Sequence, residues 1–317
     1  MANNTRRRLG DRREGRRLRT LSPIISFTPF IMRDRSDACN YFEGTVDITE
    51  TDRWLREKRR SGYKGLGMLH MFIAAYIRVV SHMPGLNRFV AGQRVYARND
   101  ITIDMMVKRS VDLESEETVA KVVFEPTDTV FDVYQKMNAA VEDIRSSDDS
   151  GTEATARTLL KLPRLLLKFA IWVIRVLDYF DLLPSALLEV SPFHGSMIIT
   201  DLGSLGIPPI YHHIYNFGSV TLFFGMGTVE KVAVVEKGEA RMKRFLPIGI
   251  TADERVCSGA HYAAFFGTMS YLLNHPEELE KPPESVRFDE KCEYHVPKVG
   301  EQPAKKQKKQ QKATVQA

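Results

Sequence analysis

A strand end that passes through a charged turn into an apolar helix constrains this chain more than any other feature. Ile248 to Thr251 reads as the end of a β-branched strand, Ser258-Gly259 as a tight turn, and Ala260 to about Leu273 as a helix. Asp253-Glu254-Arg255 therefore places polar groups where a strand gives way to a helix, a position from which a rigid scaffold can aim side chains. The helix start also offers unpaired backbone N–H groups to a nearby negative charge. A solvated charged loop is the plainer reading of the same three residues, and the surrounding sequence decides between the two.

Upstream, the chain alternates strand and helix patterns. Leu21 to Phe30, with Pro23 and Pro29, reads as an extended apolar lead-in, and Tyr41 to Ile48 as a strand. Thr49 and Thr51 are suitable caps for a helix through Trp54 and Leu55 to about Arg60. Ser61 to Gly65 is a loop. Leu69, Phe72, Ile73, Tyr76, Ile77 and Val80 then recur at spacings of three and four, which predicts a core-facing helix over 67–82, stopped by Pro84-Gly85. Arg88 to Asp100 reads as a hairpin turning at Ala91-Gly92-Gln93. Ile101 to Val107 and Thr118 to Phe124 read as buried strands, and Val130 to Arg145 as an amphipathic helix before the polar linker Ser146 to Gly151.

The positive net charge of +5 is carried by the chain ends. Residues 1–20 hold eight Arg against Asp11 and Glu14, a net +6, and residues 301–317 hold five Lys against Glu301, a net +4. About −5 remains for residues 21–300. The expected organisation is thus a basic N-terminal arm (1–20), one domain (21–300) and a Lys/Gln-rich tail (301–317) that has no apolar periodicity and reads as disordered. No specific nucleic-acid partner is implied. Cys39, Cys257 and Cys292 are few and scattered, so neither a disulfide framework nor a metal site is expected. A reducing, cytoplasmic setting fits, as does the Arg-rich start with no apolar core behind it.

Residues 158–190 form an apolar helical insertion. A helix from Pro163 places Arg164, Lys168 and Arg175 within about 40° of one another, with Leu166, Phe169, Ile171, Val173, Ile174 and Leu177 over most of the rest. Its longest uncharged run, Phe169 to Ile174, is far too short to span a bilayer. Contact of 163–180 with a membrane surface and packing against protein both fit; packing is preferred. Tyr211-His212-His213 reads as strand, where adjacent histidines point to opposite faces.

From Gly195 to Pro282 the order and spacing resemble a known family. The resemblance is carried by Gly195-Ser196-Met197-Ile198-Ile199-Thr200-Asp201-Leu202-Gly203, by Ser219 to Gly225, and by the closing turn and helix with Asn274-His275-Pro276-Glu277. These are similar to the catalytic domain of the dihydrolipoamide acyltransferases of 2-oxoacid dehydrogenase complexes, which share their fold with chloramphenicol acetyltransferase. The resemblance implies an α/β two-layer sandwich, a mixed β-sheet covered by helices. It also implies a homotrimer with sites between subunits, a coenzyme A thioester as acyl donor, a small-molecule acceptor and no metal. No lipoyl domain or lipoyl group is expected on this chain.

In that family the turn reads Asp-His-Arg-x-x-Asp-Gly, and the His is the general base. Asp253, Arg255 and Gly259 match, whereas Glu254 stands at the His position and Ser258 at the second Asp. An ordinary carboxylate, near about 4.3, is a poor base toward a thiol near about 8.5 unless burial raises it. By the same resemblance Thr200 holds the hydroxyl that donates to the tetrahedral oxyanion. Arg33 and Arg35 lie where the chloramphenicol acetyltransferase branch places an arginine that pairs with the second Asp, a pairing Ser258 cannot make. The expected function is acyl transfer by a stand-alone protein, with Glu254 as base or with His212, His213 or His261 in its place. The alternative is a catalytically inactive relative that binds acyl-CoA or serves as an oligomeric scaffold.

Overall fold

The structure, a computed structural model, describes residues 7–108, 117–146, 151–256, 258–290 and 292. In chain order the strands are β1 (Gly15–Arg17), β2 (Cys39–Asp47), β3 (Arg88–Ala91), β4 (Arg94–Arg98), β5 (Ile101–Lys108), β6 (Glu117–Phe124), β7 (Met197–Asp201), β8 (Leu222–Met226), β9 (Glu230–Glu236) and β10 (Glu239–Asp253). The helices are α1 (Pro23–Ile31), α2 (Thr49–Arg60), α3 (Met68–His82), α4 (Val130–Ser146), α5 (Gly151–Leu160), α6 (Arg164–Tyr179), α7 (Ser185–Val190) and α8 (Gly259–Asn274).

The strand that ends at Asp253 is the spine. β10 is long enough to pair with β9 through its first half and with both β2 and β8 through its second. The main sheet runs β2-β10-β8-β7-β5-β6, and β7 lies parallel to both β5 and β8, so the sheet is mixed. Side-chain alternation then sorts two faces. Ile103, Met105, Met197, Ile199, Leu222, Phe224, Ile248 and Ile250 join one core with α2, α3, α4 and α8. α3 is buried from Met71 to Ser81, more completely than a helix with one apolar stripe, because sheet, α4 and α8 enclose it. This is the α/β sandwich that the resemblance implies.

Two local expectations are corrected. Pro23 to Ile31 is helical rather than extended: Pro23 stands in the first turn, where a missing N–H costs nothing. α2 is capped not by a threonine hydroxyl but by the Asp47 carboxylate, which accepts from Thr49 N and Oγ1, while Thr51 is buried and donates to Leu273 O. The linker residues 147–150 and the tail 301–317 lie outside the described residues. The N-terminal arm is docked: β1 extends the β3–β4 hairpin, and Arg12 is buried against Asp178 at the end of α6.

The insertion helices sit by the opposite face of the sheet. Lys121, between core-facing Ala120 and Val122, points that way and donates to Leu188 O and Ser191 O. α6 turns Ile171, Ile174 and Asp178 inward, yet Phe169 and Trp172 remain more than half exposed (59% and 58%), so packing within one chain does not cover the helix. Among the described residues no helix is long and apolar enough to cross a membrane.

Asp104 on β5 is buried across the ladder from Lys121, and neither of its carboxyl oxygens has a hydrogen-bond partner. Burial pushes its pKa up to about 8, against the pull of Lys121 and Arg98. The unfolded chain releases this proton near about pH 4, whereas the folded chain keeps it to about pH 8. Ionisation of the unfolded state therefore erodes stability across that window. Urea titrations at pH 5 and pH 8 should show wild-type stability falling with pH, and Asp104→Asn should flatten the fall. Equal slopes in both proteins would contradict this reading.

Candidate active site

The motif charges are buried and mutually engaged. The Asp253 carboxylate accepts from Arg255 Nε at 2.8 Å and Nη2 at 2.7 Å, and its Oδ1 also accepts from Arg255 N at 3.1 Å. Arg255 Nη1 donates to Met32 O (2.9 Å) and Arg33 O (3.2 Å), which pins the chain after α1 against the turn. Arg35 Nε lies 4.0 Å from Asp253 Oδ2, and its Nη2 donates to Val90 O and Gly218 O. Burial pulls the Arg35 pKa down to about 10, with Asp253 holding it up. The arginine is thus rewired to the first motif acid, Asp253, in place of the one absent at Ser258. Arg33 is exposed.

Between these charges the turn itself faces outward. Glu254 is partly buried; its N–H donates to Ala38 O, and its Oε2 accepts from Asn40 Nδ2 at 2.9 Å. Ser258, at the N-cap of α8, does not cap the helix with its hydroxyl, whose Oγ lies 2.9 Å from His261 Nδ1 on the exposed first turn. Cys257 lies outside the described residues.

Thr200 and His212 come together elsewhere. Thr200, near the end of β7, has its Oγ1 3.3 Å from His212 Nε2 and 3.4 Å from Phe224 O. The His212 ring stacks on Phe223 with centroids 4.3 Å apart, and Thr251 Oγ1 donates to the His212 carbonyl. Burial, with help from His213, holds the His212 pKa below the ordinary imidazole value. The segment carrying it is not a strand, as the sequence suggests, but an irregular stretch laid across the sheet. Gly225 and Gly249 explain how: a Cβ at either would stand 2.7 or 2.9 Å from Ile210 O. The two histidines still diverge, with His213 edge-on to Tyr215.

The register separates the two halves of the motif. Thr200 pairs with Gly225 and Gly225 with Gly249, four residues before Asp253 on β10. At about 3.3 Å per residue the Glu254 turn is roughly 13 Å further along the strands. Thr200 and Glu254 of one chain therefore cannot act on the same atom. Among the described residues no group of three His, Cys, Asp or Glu side chains is placed to hold a metal ion.

With this geometry in hand, comparisons with known proteins agree. Residues 186–280 match the family model described as 2-oxoacid dehydrogenases acyltransferase (catalytic domain). The fold is that of a dihydrolipoamide acyltransferase. A probable dihydrolipoamide acetyltransferase from Listeria monocytogenes 4b F2365 superposes at TM-score 0.53 and 13% identity, covering 86% of this chain and 99% of that one. The cubic core of a pyruvate dehydrogenase multienzyme complex (TM-score 0.49, 16% identity, 81% and 88% covered) and chloramphenicol acetyltransferase (0.46, 11%, 78% and 93%) are also similar. No curated protein matches the chain. The acyltransferase fold thus extends over the first half of the chain, where sequence patterns are less specific.

If the Asp253 cluster is a fastening, removing one partner strands a buried charge, which costs about 3–5 kcal/mol. Asp253→Ala should lower the urea midpoint accordingly, whereas Glu254→Ala should stay within about 0.5 kcal/mol of wild type. Equal effects of the two variants would refute that division of roles.

Proposed function

We propose that this protein is an acyltransferase that takes its acyl group from a coenzyme A thioester and in which His212 serves as the base. The observation that carries the reading is the contact between Thr200 Oγ1 and His212 Nε2, inside the segment that matches the family model. A neutral imidazole can take the proton of an acceptor thiol or hydroxyl as it attacks the thioester carbonyl. The Thr200 hydroxyl is then at hand to donate to the oxygen on which negative charge develops. Collapse of the tetrahedral species expels the CoA thiolate, which recovers a proton from the imidazolium.

A homotrimer follows from the same reading. Thr200 and Glu254 lie too far apart along the sheet to cooperate within one chain, so the outward-facing Glu254 turn would meet a site only in a neighbouring subunit. In that setting Glu254 and the exposed Ser258–His261 pair would help shape the acceptor side. The division into a docked basic arm, a domain of 21–300 with its insertion, and a basic tail is likewise our assignment, as is a cytoplasmic setting.

A carboxylate, Glu254, in place of the His at the motif's base position favours a second reading, an acyl-CoA-binding relative without turnover. Formation of the acylated acceptor from a panel of acyl-CoA donors, measured with purified protein and graded acceptors, separates the two. His212→Ala should reduce turnover by at least about 100-fold, and Thr200→Ala by about 100-fold. Loss in Glu254→Ala with retention in His212→Ala would return the role to Glu254. Donor binding with no turnover by wild type would favour the binding protein.

A further inference from the structure

Outside the family-like site, a second constellation joins the N-terminal arm, α6 and the loop after α7. Ser191 Oγ lies 2.7 Å from His194 Nδ1. The other ring nitrogen, Nε2, lies 3.4 Å from Asp178 Oδ2, close but outside hydrogen-bond geometry. Asp178 Oδ1 in turn accepts from Arg12 Nη2 at 2.6 Å, and Arg12 Nη1 donates to the Asp178 carbonyl at 2.7 Å. His194 is 3% exposed, with its ring edge-on to Phe217. Burial pushes the Asp178 carboxyl up, but His194 and Arg12 outweigh it and hold it below the usual carboxylate range.

Ser191 and His194 both line an apolar cavity. It measures about 170 Å³ and lies between α5, α6 and α7, lined by Leu159, Ile171, Ile174, Leu187, Val190 and Phe193 together with Ser191 and His194. An ion pair between Arg12 and Asp178 would be enough to fasten the arm to α6. It requires neither a histidine between that carboxylate and a serine nor an apolar cavity beside the serine.

We propose that Ser191, His194 and Asp178 form a second acyl-processing centre, which cleaves esters or thioesters whose acyl chain occupies this cavity. The nearby Asp178 carboxylate favours the Nε2–H tautomer of His194, which leaves Nδ1 to accept from the Ser191 hydroxyl. As Oγ bonds to the acyl carbonyl carbon, its proton passes to Nδ1. The bond from that carbon to the alcohol oxygen or thiol sulfur breaks, and the leaving group takes the proton from Nδ1. Water then attacks the acyl-serine carbonyl, releasing the carboxylic acid and restoring the Ser191 hydroxyl. Lys121, which donates to the Ser191 carbonyl at 2.8 Å, and Phe193 N, 3.3 Å from Ser191 Oγ, hold the serine in place. They are positioning groups.

The test uses the full chain, a fluorophosphonate probe with peptide mass spectrometry, and p-nitrophenyl esters of graded chain length. Wild type should acquire one adduct on the Ser191 peptide and hydrolyse esters with an optimum set by the cavity. Pre-incubation with the preferred ester should slow labelling. His194→Asn should slow both labelling and hydrolysis by at least about 100-fold, with an unchanged circular dichroism spectrum. Absence of an adduct at Ser191 in folded wild type would overturn the proposal, and so would an adduct that forms as fast in His194→Asn. The labelling needs no coenzyme A donor. A protein that labels at Ser191 but transfers no acyl group would sink the acyltransferase reading alone, and the reverse result would sink this one alone.

Discussion

The Asp253–Arg255–Arg35 cluster is the interaction on which the rest of this structure depends. Burying three charges costs several kcal/mol per ion, offset only when geometry and hydrogen bonding are nearly complete. Here the carboxylate is gripped by Arg255 Nε and Nη2 and approached by Arg35 Nε, while Arg255 Nη1 and Arg35 Nη2 donate to the Met32, Arg33, Val90 and Gly218 carbonyls. One knot therefore fixes the end of β10, the chain after α1, the β3–β4 hairpin and the loop before β8. Residues that match a catalytic motif in type and spacing act here as a fastening, and the turn they hold is left free to face outward.

Glycine placement does for the opposite face what the charges do for the turn. A flat row at Gly225 and Gly249 lets the Ile210 carbonyl lie on the sheet, and that close approach brings His212 over Phe223 and beside Thr200. The same polar face, further along toward β6, carries Lys121 to the loop that holds Ser191. Core packing builds one side of the sheet; backbone approach and isolated polar contacts organise the other.

Much of the first side was legible in the sequence, because apolar periodicity reports burial directly. The spacing from Leu69 to Val80 and the alternation in Ile101–Val107 and Thr118–Phe124 correspond to α3, β5 and β6. The motif from Gly195 onward located β7, β8 and the turn before α8. The features missed share a different cause. α1 looked extended because Pro23 and Pro29 are read as breakers, although a first-turn proline suits a helix. Arg35 meeting Asp253, and Asp178 meeting His194 and Ser191, depend on contacts across 218, 16 and 3 positions that no local pattern encodes. The glycines at 225 and 249 were the visible trace of the chain that crosses them, but a strand glycine names no partner.

The central claim is that acyl chemistry sits with Thr200 and His212 while the motif charges hold the scaffold. A crystal structure of the protein with a ketone analogue of an acyl-CoA, in which a methylene replaces the thioester sulfur, tests it most directly. The account predicts the acyl carbonyl oxygen within hydrogen-bond distance of Thr200 Oγ1 and the acceptor side open to His212 Nε2. An analogue whose carbonyl lies against a Glu254 carboxylate, with His212 remote from it, would contradict the account.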